Sequence, residues 1–102
     1  KLFPPNGLYA TKTIYDGKVY SGVTNIGINP TVNGTFKVIE TYLFDFHKMV
    51  YGETIKTHFF KWIRSEQKFP SVEDLRQQME RDAKKAKEYF DSEEFDKWRK
   101  LY

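Results

Sequence analysis

Gly7-Leu8-Tyr9-Ala10-Thr11-Lys12-Thr13-Ile14-Tyr15 runs directly into Asp16-Gly17, and residues 18–26 follow with the same aromatic and β-branched character. Side chains of this kind suit a pleated, half-buried surface. Asp-Gly is the pair that tolerates positive φ at both centres of a two-residue type I′ turn. The stretch therefore predicts a β-hairpin, and the rest of the chain is read outward from it. Upstream, Pro4-Pro5 stiffens the entry and cannot donate to a ladder. Downstream, residues 27–34 hold two glycines, a proline and Asn33-Gly34, and are expected to form a loop. Residues 36–46 read as the clearest strand. Phe36, Val38, Glu40, Tyr42, Phe44 and Phe46 lie on one face, and Lys37, Ile39, Thr41, Leu43 and Asp45 on the other. Two apolar faces point to a central strand. Residues 54–64 form a further strand, with Ile55, Phe59 and Ile63 on one side and His58, Phe60 and Trp62 on the other.

The pattern then changes period. Ser71 is placed to cap a helix whose first turn carries Glu73 and Asp74, which complement the dipole. Leu75, Met79, Ala83, Ala86 and Phe90 recur at helical steps. Ser92 opens a second helix with Phe95, Trp98 and Leu101. Strands over about 7–64 and helices over about 71–101 predict one mainly β domain spanning 1–102, an antiparallel barrel or sheet with helices packed on it.

Composition narrows the function. The chain has 102 residues and a formal charge of +3, too mild and too mixed in sign to mark a nucleic-acid binder. At 18% aromatic it is not a disordered segment, and no apolar run approaches the length of a membrane helix. With no cysteine, disulfide scaffolds, thiolate metal sites and a cysteine nucleophile are excluded. A cytoplasmic domain with no membrane partner is the expectation. Neither a dinucleotide-binding nor a Walker-type glycine motif is present, and His47 and His58 have no ligand spacing. Metal ligands are accordingly assigned to none of the residues.

Glu40 stands out. A carboxylate among Val38, Tyr42 and Phe44 must find a partner, reach solvent at a barrel mouth, or act as a general base. A strand-end ion pair with a nearby Lys or Arg is the plainer alternative. Arg64 offers a planar fork for a carboxylate, a phosphate or a flat ring, and Phe69 can stack on a flat ligand or staple the following helix.

The order of motifs is more specific than any one of them. Pro5-Asn6-Gly7-Leu8-Tyr9-Ala10, then Gly22-Val23-Thr24-Asn25-Ile26-Gly27-Ile28-Asn29-Pro30-Thr31, then Val38-Ile39-Glu40-Thr41-Tyr42-Leu43-Phe44-Asp45-Phe46 occur in sequence. Tyr51-Gly52, Arg64 with Glu66-Lys68-Phe69, and the helix from Leu75 to Asp82 follow. This series resembles the riboflavin kinase domain, found alone in eukaryotes and as the C-terminal half of bacterial riboflavin kinase/FAD synthetase. The resemblance implies a Greek-key β-barrel, six strands in the full domain, with C-terminal α-helices. It implies transfer of the ATP γ-phosphoryl group to the ribityl 5′-hydroxyl of riboflavin, giving FMN, with a metal such as Mg²⁺. It places Glu40 as the catalytic carboxylate, Arg64 and Phe69 on the flavin side and Tyr51 near the nucleotide. A covalently linked N-terminal adenylyltransferase domain is the implied partner. The family's glycine-rich flap and Pro-Thr-Ala-Asn segment, which help hold metal and phosphates, have no counterpart in these residues. On that reading the 102-residue chain is expected to be a poor kinase. The alternative from another class is a small β-barrel module stacking single-stranded nucleic acid on its aromatics, and a third is a barrel that only buttresses a partner domain.

Overall fold

The computed structural model describes residues 4–32, 34–46 and 55–101. The elements are β1 (Gly7–Tyr15), β2 (Lys18–Thr31), β3 (Gly34–Leu43), β4 (Lys56–Arg64), α1 (Val72–Phe90) and α2 (Glu93–Leu101). The four strands make one antiparallel sheet in the order β3-β2-β1-β4. The antiparallel β architecture with C-terminal helices is as expected. Four strands rather than six are seen among the described residues, and β3 and β4 form the two edges rather than closing on each other.

The first hairpin forms as its turn chemistry requires. Asp16 and Gly17 take φ of 50° and 75°, and Tyr15 pairs with Lys18. The expected loop over 27–34 is instead mostly strand. β2 continues to Thr31, and Thr31 pairs with Gly34 to close a second tight hairpin. Pro30 is tolerated because β1 stops pairing at Ile26, so beyond that point β2 has one neighbour, not two. Gly27 lies in this extension, and a Cβ there would collide with a carboxylate oxygen of Glu66. That carboxylate accepts the Ile28 N–H at 3.2 Å and ties the segment after β4 to β2.

The expectation of a central β3 is also corrected. Among the described residues β3 is an edge strand, and Phe36, Ile39 and Tyr42 are about half exposed. The strand ends at Leu43, because Asp45 turns into the left-handed region at φ 56°.

Strict alternation fails along β4. Leu8 pairs with Arg64 but Tyr9 with Trp62, and Ala10 pairs with Lys61 but Thr11 with Phe59. The residues skipped at these two bulges are Ile63 and Phe60, and both turn toward the helices. Phe59 goes the other way, edge-on to Tyr9 with ring centroids 5.2 Å apart.

The core lies between one sheet face and α1. Leu8, Ala10, Val23, Phe44 and Ala86 are buried together, with Ile63, Ala83, Tyr89 and Phe90 packed around them. Only the second half of the α1 stripe joins this core. α2 is pinned by aromatic edges: Phe60 lies 5.8, 5.4 and 4.8 Å from Phe90, Phe95 and Trp98. Ser71 caps α1 as expected, accepting the Asp74 N–H at 3.1 Å. The opposite sheet face carries buried threonines whose hydroxyls bond across strands, Thr11 to Thr24 at 3.0 Å and Thr24 to Thr41 at 2.9 Å.

Lys12 is the charged residue on the helix-facing side of β1. Its ammonium donates to Ser21 Oγ at 2.7 Å and sits 4.2 Å from the Phe90 ring centroid. Burial pushes its pKa below the usual 10.5, Arg99 pushes the same way, and Asp91 opposes. Folded Lys12 therefore gives up its proton more readily than unfolded Lys12. In the window below 10.5 the unfolded chain holds more protons, so stability rises with pH there. The expected result is that wild type gains stability relative to Lys12→Met between neutral pH and about 10.5, read from urea melts across that range. A pH-independent difference would contradict it.

Candidate functional site

Strand pairing assembles the site. Glu40 on β3 lies opposite Asn25 on β2, Asn25 opposite Leu8 on β1, and Leu8 opposite Arg64 on β4. Directly paired residues share a sheet face. Glu40, Asn25, Leu8 and Arg64 are thus one row running across all four strands, on the face that carries α1. At about 4.8 Å per strand, the row spans roughly 14 Å from the acidic end to the basic end.

A cleft of about 410 Å³ opens above this row. The row forms its floor, and Phe69, Leu75 and Met79 form the wall contributed by the post-β4 segment and the first turns of α1. This explains the first half of the α1 stripe: Leu75 and Met79 stay about 40% exposed because they face the cleft instead of the core.

At the acidic end, Glu40 is exposed, and among the described residues no lysine or arginine forms an ion pair with it. Of the alternatives its sequence position left open, the structure shows the solvent-accessible one, with Tyr42 and Thr41 beside it in the cleft. A carboxylate so placed can accept a hydrogen bond, and then a proton, from a hydroxyl that enters the cleft.

At the other end, Arg64 is held by Asp82 of α1. Arg64 Nε donates to Asp82 Oδ1 at 3.0 Å, Nη2 donates to Oδ2 at 2.8 Å, and Nη1 donates to the Ser65 carbonyl at 3.0 Å. Gln78 Nε2 adds a 2.9 Å bond to Oδ1. Asp82 is 2% exposed, so the fork is what compensates the carboxylate in the interior. The guanidinium carbon lies 5.8 Å from the Phe69 ring centroid. Arg64 and Phe69, in contact with each other, both line this end of the cleft.

Sequence reading did not single out Asp82 as a site residue. The available signal was its phase. It falls between Met79 and Ala86 on the apolar stripe, where an acid has no reason to sit unless something pairs with it. Tyr51 and His47 lie outside the described residues. Among the described residues no group of three His, Cys, Asp or Glu converges to hold a metal. The cleft's two carboxylates do not make such a site either, since both oxygens of Asp82 are taken by Arg64 and Gln78. No helix among the described residues is long and apolar enough to cross a membrane.

Residues 1–90 match the family model described as Flavokinase, riboflavin kinase. The bifunctional riboflavin kinase/FMN adenylyltransferase of Haemophilus influenzae is 42% identical over 90 residues, covering 87% of this chain and 29% of its own. The Bacillus subtilis protein of the same name is 45% identical over 92 residues, covering 87% of this chain and 29% of its own. The chain thus spans under a third of the length of these relatives. Among solved structures, the chain is similar to a crystal structure described as the macrolide-efflux protein from Streptococcus pneumoniae. The TM-score is 0.78 at 29% identity, covering 84% of this chain and 28% of that one.

Proposed function

The chain belongs to the riboflavin kinase family, and from that premise we propose that its cleft binds riboflavin with the isoalloxazine ring at Arg64 and Phe69 and the ribityl end at Glu40. The reaction is transfer of the γ-phosphoryl group of ATP to the ribityl 5′-hydroxyl, giving FMN and ADP, within a protein that also carries an FMN adenylyltransferase domain. The observation that carries this reading is the transverse row. Glu40 and Arg64, distant in sequence, share one cleft at opposite ends of a roughly 14 Å span. Such a span suits a ligand with a flat ring at one end and a sugar alcohol at the other.

The chemistry follows from the residues. A primary alcohol is a weak nucleophile, so the 5′-hydroxyl needs an acceptor for its proton as its oxygen bonds to phosphorus. Glu40 takes that proton while the bond to the β,γ-bridging oxygen breaks and ADP leaves. Phe69 and the Arg64 plane hold the ring, which sets the ribityl chain's direction and turns a loose encounter into a positioned one. A divalent cation accompanies ATP and offsets phosphate charge. Among the described residues no group of three His, Cys, Asp or Glu gathers for it. On the family resemblance Tyr51 belongs to the nucleotide side. The same reading places the reaction in the cytoplasm, with riboflavin and ATP as the partners.

The test is a riboflavin titration followed by quenching of flavin fluorescence. Phe69→Ala is expected to raise the dissociation constant about tenfold, the size of one lost stacking contact. A wild-type chain that leaves flavin fluorescence unchanged, or a Phe69→Ala variant that binds as tightly as wild type, would remove the flavin from this cleft.

A further inference from the structure

We propose that Asp82 is the positioning residue of the flavin side: it fixes Arg64 as a flat, charge-compensated platform, so that this end of the cleft accepts a neutral planar ring and rejects anions. The inference rests on the reading above. A guanidinium has five N–H donors in one plane. Asp82 engages Nε and Nη2, and the Ser65 carbonyl engages Nη1, so the plane cannot turn without breaking bonds on three nitrogens. Gln78 in turn holds the carboxylate that does the holding. Asp82 has no oxygen left for a ligand and is buried, so it acts only through Arg64. An unrestrained arginine at the same place would behave differently. It would be a mobile cation suited to bidentate capture of phosphate or sulfate. The pairing offsets the cation's charge and occupies three of its five N–H donors, which disfavours anion capture and favours contact through the flat face of the guanidinium, set with the Phe69 ring.

The discriminating experiment compares wild type, Asp82→Asn and the neutral pair Arg64→Met/Asp82→Asn. Each is titrated with riboflavin and with lumiflavin, the ring lacking the ribityl chain, with and without sulfate at constant ionic strength. Asp82→Asn is expected to weaken both ligands about tenfold, since the loss is at the ring. It is also expected to make flavin binding sensitive to sulfate, which a general loss of packing would not do. The neutral pair is expected to bind as weakly but without sulfate sensitivity. Asp82→Asn binding within twofold of wild type, or a sulfate effect that persists without Arg64, would overturn the proposal. Should Asp82→Asn show no cooperative melt, the neutral pair decides: weakened flavin binding supports the proposal and wild-type affinity overturns it. A wild type that binds neither flavin overturns the flavin reading itself, and this inference with it.

Discussion

Glu40→Gln is expected to lower kcat for ATP-dependent riboflavin phosphorylation by roughly 10²- to 10⁴-fold, the usual contribution of a positioned general base. The substitution keeps the side chain's shape and its ability to accept a hydrogen bond. It removes the capacity to take up the hydroxyl proton. Riboflavin affinity by fluorescence titration should therefore stay within a few-fold of wild type, because the proposed ring site, at Arg64 and Phe69, lies at the other end of the cleft. Glu40 is an exposed residue on an edge strand, so the melting temperature should barely move. The measurement belongs in preparations of the protein that turn riboflavin over. Equal kcat in the two proteins would take the carboxylate out of the reaction. A parallel loss of affinity and turnover would place it in binding instead.

Arg64→Ala has the largest expected effect on stability. It strands the buried Asp82 carboxylate, which keeps a hydrogen bond from the neutral amide of Gln78. Breaking one side of a buried pair costs about 3–5 kcal/mol, and the partial exposure of Arg64 places this case near 3. For a domain of this size that is a fall in melting temperature of roughly 12–24 °C. The cause is the orphaned charge, so adding Asp82→Asn should recover part of the loss, and the double variant should melt above the single one. A loss under about 1 kcal/mol, or a double variant no more stable than Arg64→Ala, would show that the fork contributes little to holding α1 on the sheet.

Much of this was readable from local chemistry. Asp16-Gly17 specified its hairpin because both positions must take positive φ, and Ser71 specified a helix start because its hydroxyl caps a free N–H. Glu40 stood out because a carboxylate is out of keeping with the apolar residues on its strand face, and Arg64 and Phe69 took their roles from the family resemblance. What was not readable was pairing. Strand order decides whether an apolar strand is central or an edge, and no feature of residues 36–46 records which strands lie beside it. The row from Glu40 to Arg64 depends on three separate registers and two bulges, none with a local signature. The β2 extension was hidden because Gly27 and Pro30, which mark loops in isolation, are compatible with strand where one carboxylate approaches and one neighbour is missing. Asp82 escaped because its partner lies on another element and only the tertiary fold brings them together.

The sheet order also dictates when the cleft comes into being as the chain folds. β1, β2 and β3 are joined by two tight turns and can meander together through short-range contacts. β4 must return across the whole strand region to reach β1, and closing so long a loop is slow and entropically costly. Arg64 and Phe69 reach Glu40 only after that closure. A ligand seated between them grips contacts formed late, so its effect falls on the unfolding rate and leaves the speed of folding largely alone.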